Sequence, residues 1–295
     1  GTSGASKPIS LTYGNWLWSA LGSAVALGLD PQERWLCALP LSHVGGLSIV
    51  MRSSIYGTTA LVHERFDTDR VLEALMAPGG ATIASLVPTT LRRLLDAGLQ
   101  DPPALRWALV GGAPIPPALV RRAEEAGVPV ASTYGLTEAC SQVTTHGAPL
   151  FCTRVALAGD GEVLVTGPTI APGSGPVLAT GDLGSWDADG RLTITGRKAD
   201  TIVTGGENVA PDEVEAVLTE HPAVSEAAVH GREHPEWGEA VVATVVLREG
   251  AHASEQELRM HCLARLAGYK VPKDIAFATA LPRTPSGKVV RRALR

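Results

Sequence analysis

The chain is 295 residues long, 45% hydrophobic and only 19% charged, with a formal net charge of −5. That length holds roughly two domains. The sparse charge excludes long disordered tails, and the acidic balance excludes a broad basic face for nucleic acid.

The first residues, "GTSGASKPIS", combine glycines, hydroxyls and one lysine. Such a stretch fits a flexible linker, and it equally fits a phosphate loop in which small residues let the backbone approach phosphate oxygens. It is not a Walker A loop, because Ser6 precedes Lys7 and Pro8 follows it. From Leu11 to about Gly196, helical and strand-like stretches alternate. "YGNWLWSALGSAVALGL" reads as a helix with Trp16, Leu17, Ala20 and Leu21 on its apolar face. "RWLCALPL" reads as a buried strand. "DTDRVLEALMA" is a helix with Asp67 or Thr68 as cap. "ATIASLVP" and "VPVASTYG" are strands, "TTLRRLLDAGL" is a helix, and "LRWALVGGAPIPPALVRRAEEAG" runs strand, glycine turn, helix. This alternation predicts an α/β fold of parallel strands with helical crossovers.

After Cys152 the pattern shifts to "GEVLVTG" and "GDLGSWDADGRLTITG", a small antiparallel sheet with Asp189-Gly190 at a hairpin tip. From Ala199 onward a smaller α+β unit is expected. "PDEVEAVLTEH" starts a helix at Pro211, "EAAVHG", "EAVVATVVL" and "DIAFATAL" are strands, and "SEQELRMHCLARL" opens on a Ser254/Glu257 capping box. The expected division is therefore 1–197 and 198–295. Cys37, Cys140, Cys152 and Cys262 lie too far apart for zinc-type pairs, so a reducing, cytoplasmic setting fits. No run of about 20 apolar residues calls for membrane insertion.

Chemistry gathers where strands end. In "STYGLTEA", Tyr134 can stack on a base beside Gly135, Thr137 offers a hydroxyl to phosphate, and Glu138 is a hard oxygen ligand for Mg²⁺. In "VGGAPIP", the Gly111-Gly112 pair ahead of Ala113 and Pro114 would let a flat adenine lie on the backbone. Asp182 in "ATGDLG" can accept both ribose hydroxyls. Arg197 in "TGRKAD" and Lys288 in "TPSGKVVRR" complete the set. Each alone has a plainer explanation, since polar turns, glycines after strands and surface lysines are common.

Together and in this order, the glycine loop, YGLTE, TGD, GRK, GGEN and PSGK resemble the adenylate-forming superfamily of acyl-CoA synthetases, luciferases and peptide-synthetase adenylation domains. The resemblance covers essentially the whole chain. It implies ATP, Mg²⁺ and CoA, and a mobile C-terminal domain. Thr2, Ser3, Gly4 and Lys7 would hold the β- and γ-phosphates, with Ser6 standing where proline is usual. Glu138 would bind Mg²⁺, Asp182 the ribose, and Lys288 the carboxylate and α-phosphate oxygens. Gly205, Gly206 and Glu207 would line the pantetheine channel. Lys198 and Ala199 would form the hinge, where the family often has Asp or Lys in place of Ala199. The family's large domain starts upstream of the glycine loop, so a preceding portion is expected that this chain does not carry. The chain by itself is then expected to be weakly active or inactive.

"LPLSHVGGLSIVMRSSIYGTTALVHERFD" and "YGLTEACSQVTT" look like the o-succinylbenzoate–CoA ligase branch of that superfamily, which serves menaquinone synthesis. There His43 would sit beside the acyl group. Arg52, Ser141, Gln142 and Thr145 are available for the distal carboxylate of a dianionic aromatic acid. An aryl- or medium-chain acyl-CoA ligase, a ligase loading a carrier-protein thiol, and a non-catalytic nucleotide-binding remnant remain open. So does a homo-oligomer, on which the sequence is silent.

Overall fold

In the computed structural model, which describes residues 8–283 and 289–294, Thr12 opens the first helix, α1 (Tyr13–Leu27), with a capping box. Its hydroxyl accepts from the Asn15 backbone N–H at 3.1 Å, and Asn15 Oδ1 accepts from the Thr12 N–H at 2.9 Å. The buried stripe of α1 is Asn15, Trp16, Ser19, Ala20, Ser23 and Leu27, whereas Leu21 is 40% exposed. The apolar face expected from the sequence is thus rotated toward small polar residues, because Ser19 and Ser23 let a neighbouring helix approach closely.

That neighbour is α2 (Val44–Tyr56), which follows β1 (Arg34–Cys37) and precedes β2 (Thr59–Val62). There follow α3 (Thr68–Met76), β3 (Ile83–Leu86), α4 (Pro88–Asp96), β4 (Trp107–Val110), α5 (Pro117–Glu125), β5 (Val130–Leu136), β6 (Ser141–Thr145) and β7 (Ala148–Pro149). Asp67 caps α3 by accepting from the Arg70 N–H at 3.1 Å. The sheet has the order β2-β1-β3-β4-β5-β6-β7. Neighbours from β2 to β5 pair in parallel, while β6 and β7 are antiparallel additions.

Both faces of the parallel part are covered, which is why its strands read as unbroken apolar runs. Trp35, Cys37, Ile83, Leu109 and Ala131 meet Leu27 and Ile49 on one side. Leu36, Ala84, Leu86, Ala108 and Val110 meet Val71, Leu75, Leu91, Leu94 and Leu119 on the other. The alternation along each strand is the period-two pleat. Each enclosed leucine contributes about 1.5–3 kcal/mol.

The next sheet has the order β11-β10-β9-β8, from β8 (Arg154–Leu157), β9 (Glu162–Thr166), β10 (Leu178–Trp186) and β11 (Leu192–Arg197). Asp187 Oδ1 closes the β10–β11 connection by accepting from the N–H groups of Asp189 and Arg191, with Gly190 at φ 71°. The smaller unit holds β12 (Ile202–Thr204), β13 (Glu207–Val209), α6 (Pro211–Glu220), β14 (Val224–His234), β15 (Gly238–Leu247), α7 (Glu255–Leu263) and β16 (Asp274–Phe277). In its sheet β14 lies on one side of β15, with β12 and β16 on the other. Val214, Leu218, Leu258 and Cys262 from the two helices pack on Val229, Val241 and Val245. The chain falls into two compact units, Pro8–Thr180 with Ser185–Ile194, and Gly181–Gly184 with the residues from Thr195 onward. The expected α/β body followed by an α+β unit is the architecture found.

Candidate functional site

Parallel strands bring the C-terminal ends of β1, β3, β4 and β5 to one edge, the usual ligand edge of such a sheet. At the end of β4, a Cβ on Gly111 would lie 2.7 Å from the Thr133 carbonyl oxygen, and Gly112 has φ +79°. The turn therefore needs both glycines, and it leaves Gly112, Ala113 and Pro114 exposed. On the adjoining strand, Tyr134 and Gly135 sit at a register shift between β5 and β6. Thr137–Ala139 then form one 3₁₀ turn, closed by the Cys140 N–H donating to the Thr137 carbonyl at 3.0 Å.

In that turn Thr137 is exposed and Glu138 is half-buried, its backbone carbonyl held by the Ala171 N–H at 2.7 Å. No side-chain partner engages the Glu138 carboxylate among the described residues. No group of three or more His, Cys, Asp and Glu side chains able to hold a metal occurs among those residues either. A single unpaired hard-oxygen donor fits Mg²⁺, which uses one or two carboxylates and takes its remaining ligands from water and substrate phosphates.

His43 is the N-cap residue of α2, exposed and without a side-chain capping bond. Ser141 Oγ donates to Ser48 Oγ at 3.4 Å. Gln142 donates through Nε2 to Thr145 Oγ1, both residues are buried, and Gln142 Oε1 has no partner among the described residues. Arg52 is 1% exposed, with its guanidinium against the Trp35 ring and Nη2 donating to Ser19 Oγ at 3.0 Å. Arg52, Gln142 and Thr145, expected to offer donors to an acid, are thus all buried, and Arg52 Nε and Gln142 Oε1 have no hydrogen-bond partner among the described residues. Burial also lowers the Arg52 pKa and pushes the Cys140 thiol up to about 11, so Cys140 is not a thiolate at neutral pH.

In the other unit, Asp182 is 7% exposed, and its Oδ1 accepts from Arg197 Nε at 2.7 Å. Arg197 thus orients the carboxylate expected to read ribose. Lys198 and Ala199 lie exposed in a 3₁₀ turn, Lys198–Asp200. Gly205 and Gly206, at φ 58° and 87°, turn β12 into β13 beside exposed Glu207, and the Gly205 N–H donates to the Trp237 carbonyl at 2.8 Å. Thr2, Ser3, Gly4, Lys7 and Lys288 lie outside the described residues.

Two residues were not singled out by sequence. Ser19 reads as an ordinary helical serine. Arg291 reads as part of a basic tail, yet it pairs with Glu215 at 2.8 Å, with Asp200 at 3.2 Å and with Asp212. The spacing of Asp212 and Glu215, one turn apart on α6, was the available signal.

An AMP-binding enzyme model matches residues 1–174, and an AMP-binding enzyme C-terminal domain model matches residues 213–288. The 2-succinylbenzoate–CoA ligases of Geobacillus kaustophilus and Bacillus subtilis are 41% and 38% identical over the whole of this chain, which spans 67% of each relative. The o-succinylbenzoate coenzyme A synthetase of Bacillus subtilis, solved with its acyl-adenylate intermediate OSB-AMP, matches with TM-score 0.91 at 38% identity over all of this chain and 67% of that one. ATP-bound MatB from Rhodopseudomonas palustris matches with TM-score 0.91 at 30% identity over all of this chain and 66% of that one. The chain belongs to the AMP-binding enzyme family.

Proposed function

We propose that the protein activates a carboxylic acid with ATP and transfers the acyl group to CoA, and that the acid is o-succinylbenzoate, on the way to menaquinone. The observation that carries the acid is the 38–41% identity, along the entire chain, to 2-succinylbenzoate–CoA ligases.

In the first half-reaction a carboxylate oxygen attacks the α-phosphorus of ATP and the bond to pyrophosphate breaks. The Gly111–Pro114 turn and Tyr134 take the adenine, and Asp182, held by Arg197, accepts the ribose hydroxyls. Thr137 donates to phosphate, and Glu138 is the residue that would hold Mg²⁺, which supplies charge neutralisation to the phosphates when bound. Thr2, Ser3, Gly4 and Lys7 cradle the outer phosphates. Lys288 places an ammonium where negative charge accumulates, a contribution realised mainly in the transition state. In the second half-reaction the CoA thiol enters along Gly205–Glu207, its sulfur attacks the acyl carbonyl, AMP leaves and the thiol proton is lost. His43, exposed at the start of α2, borders the acyl group. Ser141, on the same edge, and the buried donors of Arg52, Gln142 and Thr145 are available for the distal carboxylate.

A panel of acids scored by pyrophosphate release with the full-length gene product tests the reading. We expect o-succinylbenzoate to exceed benzoate, succinate and medium-chain acids by about tenfold or more in kcat/KM. Preference for a medium-chain acid would overturn the assignment of the acid, and ATP hydrolysis independent of any acid would overturn the activity.

A further inference from the structure

The basic residues near the C-terminus read as a solvated tail, yet Arg283 and Arg291 are half-buried against the smaller unit. The strand they meet is β14, which has β15 on one side and no strand on the other among the described residues. Such an edge presents backbone groups without ladder partners. Here side chains and the tail cover it. The Val229 N–H donates to Glu215 Oε1 at 2.7 Å, and the 3₁₀ turn Arg291–Leu294 lies beside the strand.

Two arginines fasten that tail. Arg291 donates through Nε to Glu215 Oε1 at 2.9 Å and through Nη2 to Glu215 Oε2 at 2.8 Å, a two-pronged and directional grip. The same guanidinium reaches Asp212 and, at 3.2 Å, Asp200. Arg283 pairs with Glu226 of β14 at 2.9 Å. Its backbone bridges Val289 in antiparallel fashion, and the Val290 N–H donates to the Pro282 carbonyl at 2.8 Å. The chain entering residues 284–288 and the chain leaving them are thus joined to each other and to one strand. A partly exposed pair such as Arg283–Glu226 adds little to stability, so its consequence is mainly geometric.

We propose that Arg283 and Arg291 are positioning residues for Lys288. They clamp the two ends of its segment on β14 and α6, so that the ammonium is delivered from a fixed stem. This rests on the role given to Lys288 above and adds to it the groups that hold the lysine in register.

The test is single-turnover measurement of each half-reaction in the full-length gene product, on the unaltered protein, on Glu226→Gln, Arg291→Met and Lys288→Ala, and on each of the first two combined with Lys288→Ala. Melting temperatures are taken alongside. Displacing a reacting group by about 1 Å costs up to about a hundredfold. We expect acid-dependent pyrophosphate release to slow about tenfold in Glu226→Gln and up to about a hundredfold in Arg291→Met. Transfer of a supplied acyl-adenylate to CoA should stay within about threefold. Each double variant should be no slower than Lys288→Ala alone, because the clamp acts only through the lysine. Should Arg291→Met fail to fold, Glu226→Gln alone decides. Equal losses in both half-reactions, or a further loss of the same size on the Lys288→Ala background, would overturn the proposal in favour of general support of the fold. An unaltered rate in Glu226→Gln would overturn the part given to Arg283. Unchanged pyrophosphate release in Lys288→Ala would remove the assignment of Lys288 itself, an outcome distinct from the others.

Discussion

A methyl group on Gly135 would stand 1.8 Å from the Ser141 carbonyl oxygen. Both partners are backbone in adjacent strands, so neither can swing aside. Gly135→Ala must therefore separate β5 from β6 at the very turn that carries Thr137 and Glu138. We expect a loss of about 3 kcal/mol or more, at the upper end of overpacking costs, together with loss of Mg²⁺-dependent ATP binding. Gly205→Ala is the control. Its Cβ would meet nothing within 4 Å, and only its φ of +58° is unfavourable, so the cost should be about 1–2 kcal/mol. Urea unfolding of the two variants compares them, and equal losses would refute the steric account. At this scale some residues were legible from the sequence and others were not. Asp67 and the Ser254/Glu257 box act on neighbours three positions away, and both form as read. Arg52 donates to Ser19, and Ser19 to the Cys140 carbonyl, and no local pattern encodes a partner that only tertiary folding supplies.

Elements were legible in proportion to how far their own residues dictate them. The parallel strands were clear because enclosure on two faces demands continuous apolar runs. The helix α2 was not, because Gly45, Gly46, Ser48, Ser53 and Ser54 give it little intrinsic propensity. Tertiary packing decides it, and a Cβ on Gly46 would lie 2.5 Å from the Pro40 carbonyl oxygen. Nor did the tail residues announce that Arg291 would be drawn into a cluster with α6. Burial raises the pKa of Asp212 and of Glu215, with Arg291 opposing that shift. Burial also works against the Arg291 charge, yet Glu215, Asp212 and Asp200 together hold its pKa above the ordinary value. A carboxylate with a raised native pKa favours the fold at low pH and loses that contribution as pH rises through the native value. Arg291→Met leaves the carboxylates buried without their cation, so we expect a cost of about 3–5 kcal/mol near neutrality. The carboxylates escape by taking up protons, so the cost should shrink between about pH 7.5 and about pH 5. Urea titrations at the two pH values measure it, and a cost that grows in acid would show that the cluster is not the cause.

At the scale of the whole molecule, the question is how one protein runs two reactions that need different neighbours around the same acyl group. Adenylate formation brings a carboxylate against a triphosphate, and an ammonium at that point lowers the barrier. Thioester formation needs a thiol in the same space, with AMP as leaving group, and its charge develops on the acyl oxygen and the departing phosphate rather than between a carboxylate and a triphosphate. We propose Lys198–Asp200 as the place for such an exchange, a 3₁₀ turn in the smaller unit in which Lys198 and Ala199 are exposed and Ala199 carries no charge. The tail returns to that turn, since Val289 bridges to Arg283 and Arg291 pairs with Asp200. Residues on both sides of Lys288 in the sequence are therefore fastened to the smaller unit, and we expect the lysine to travel with that unit. The motif order only suggests this division of labour, while the fastening emerges only from the fold. If Lys288 serves the first reaction alone, Lys288→Ala should slow acid-dependent pyrophosphate release by about a hundredfold to a thousandfold, the range for losing one preorganised electrostatic contact. Transfer of a supplied acyl-adenylate to CoA should stay within about threefold of the unaltered rate, because that step never used the ammonium. Single-turnover measurement of each half-reaction in the full-length gene product separates the two. Equal losses in both would mean that the lysine holds the site together in every state, and an exchange of neighbours would then have no part in the mechanism.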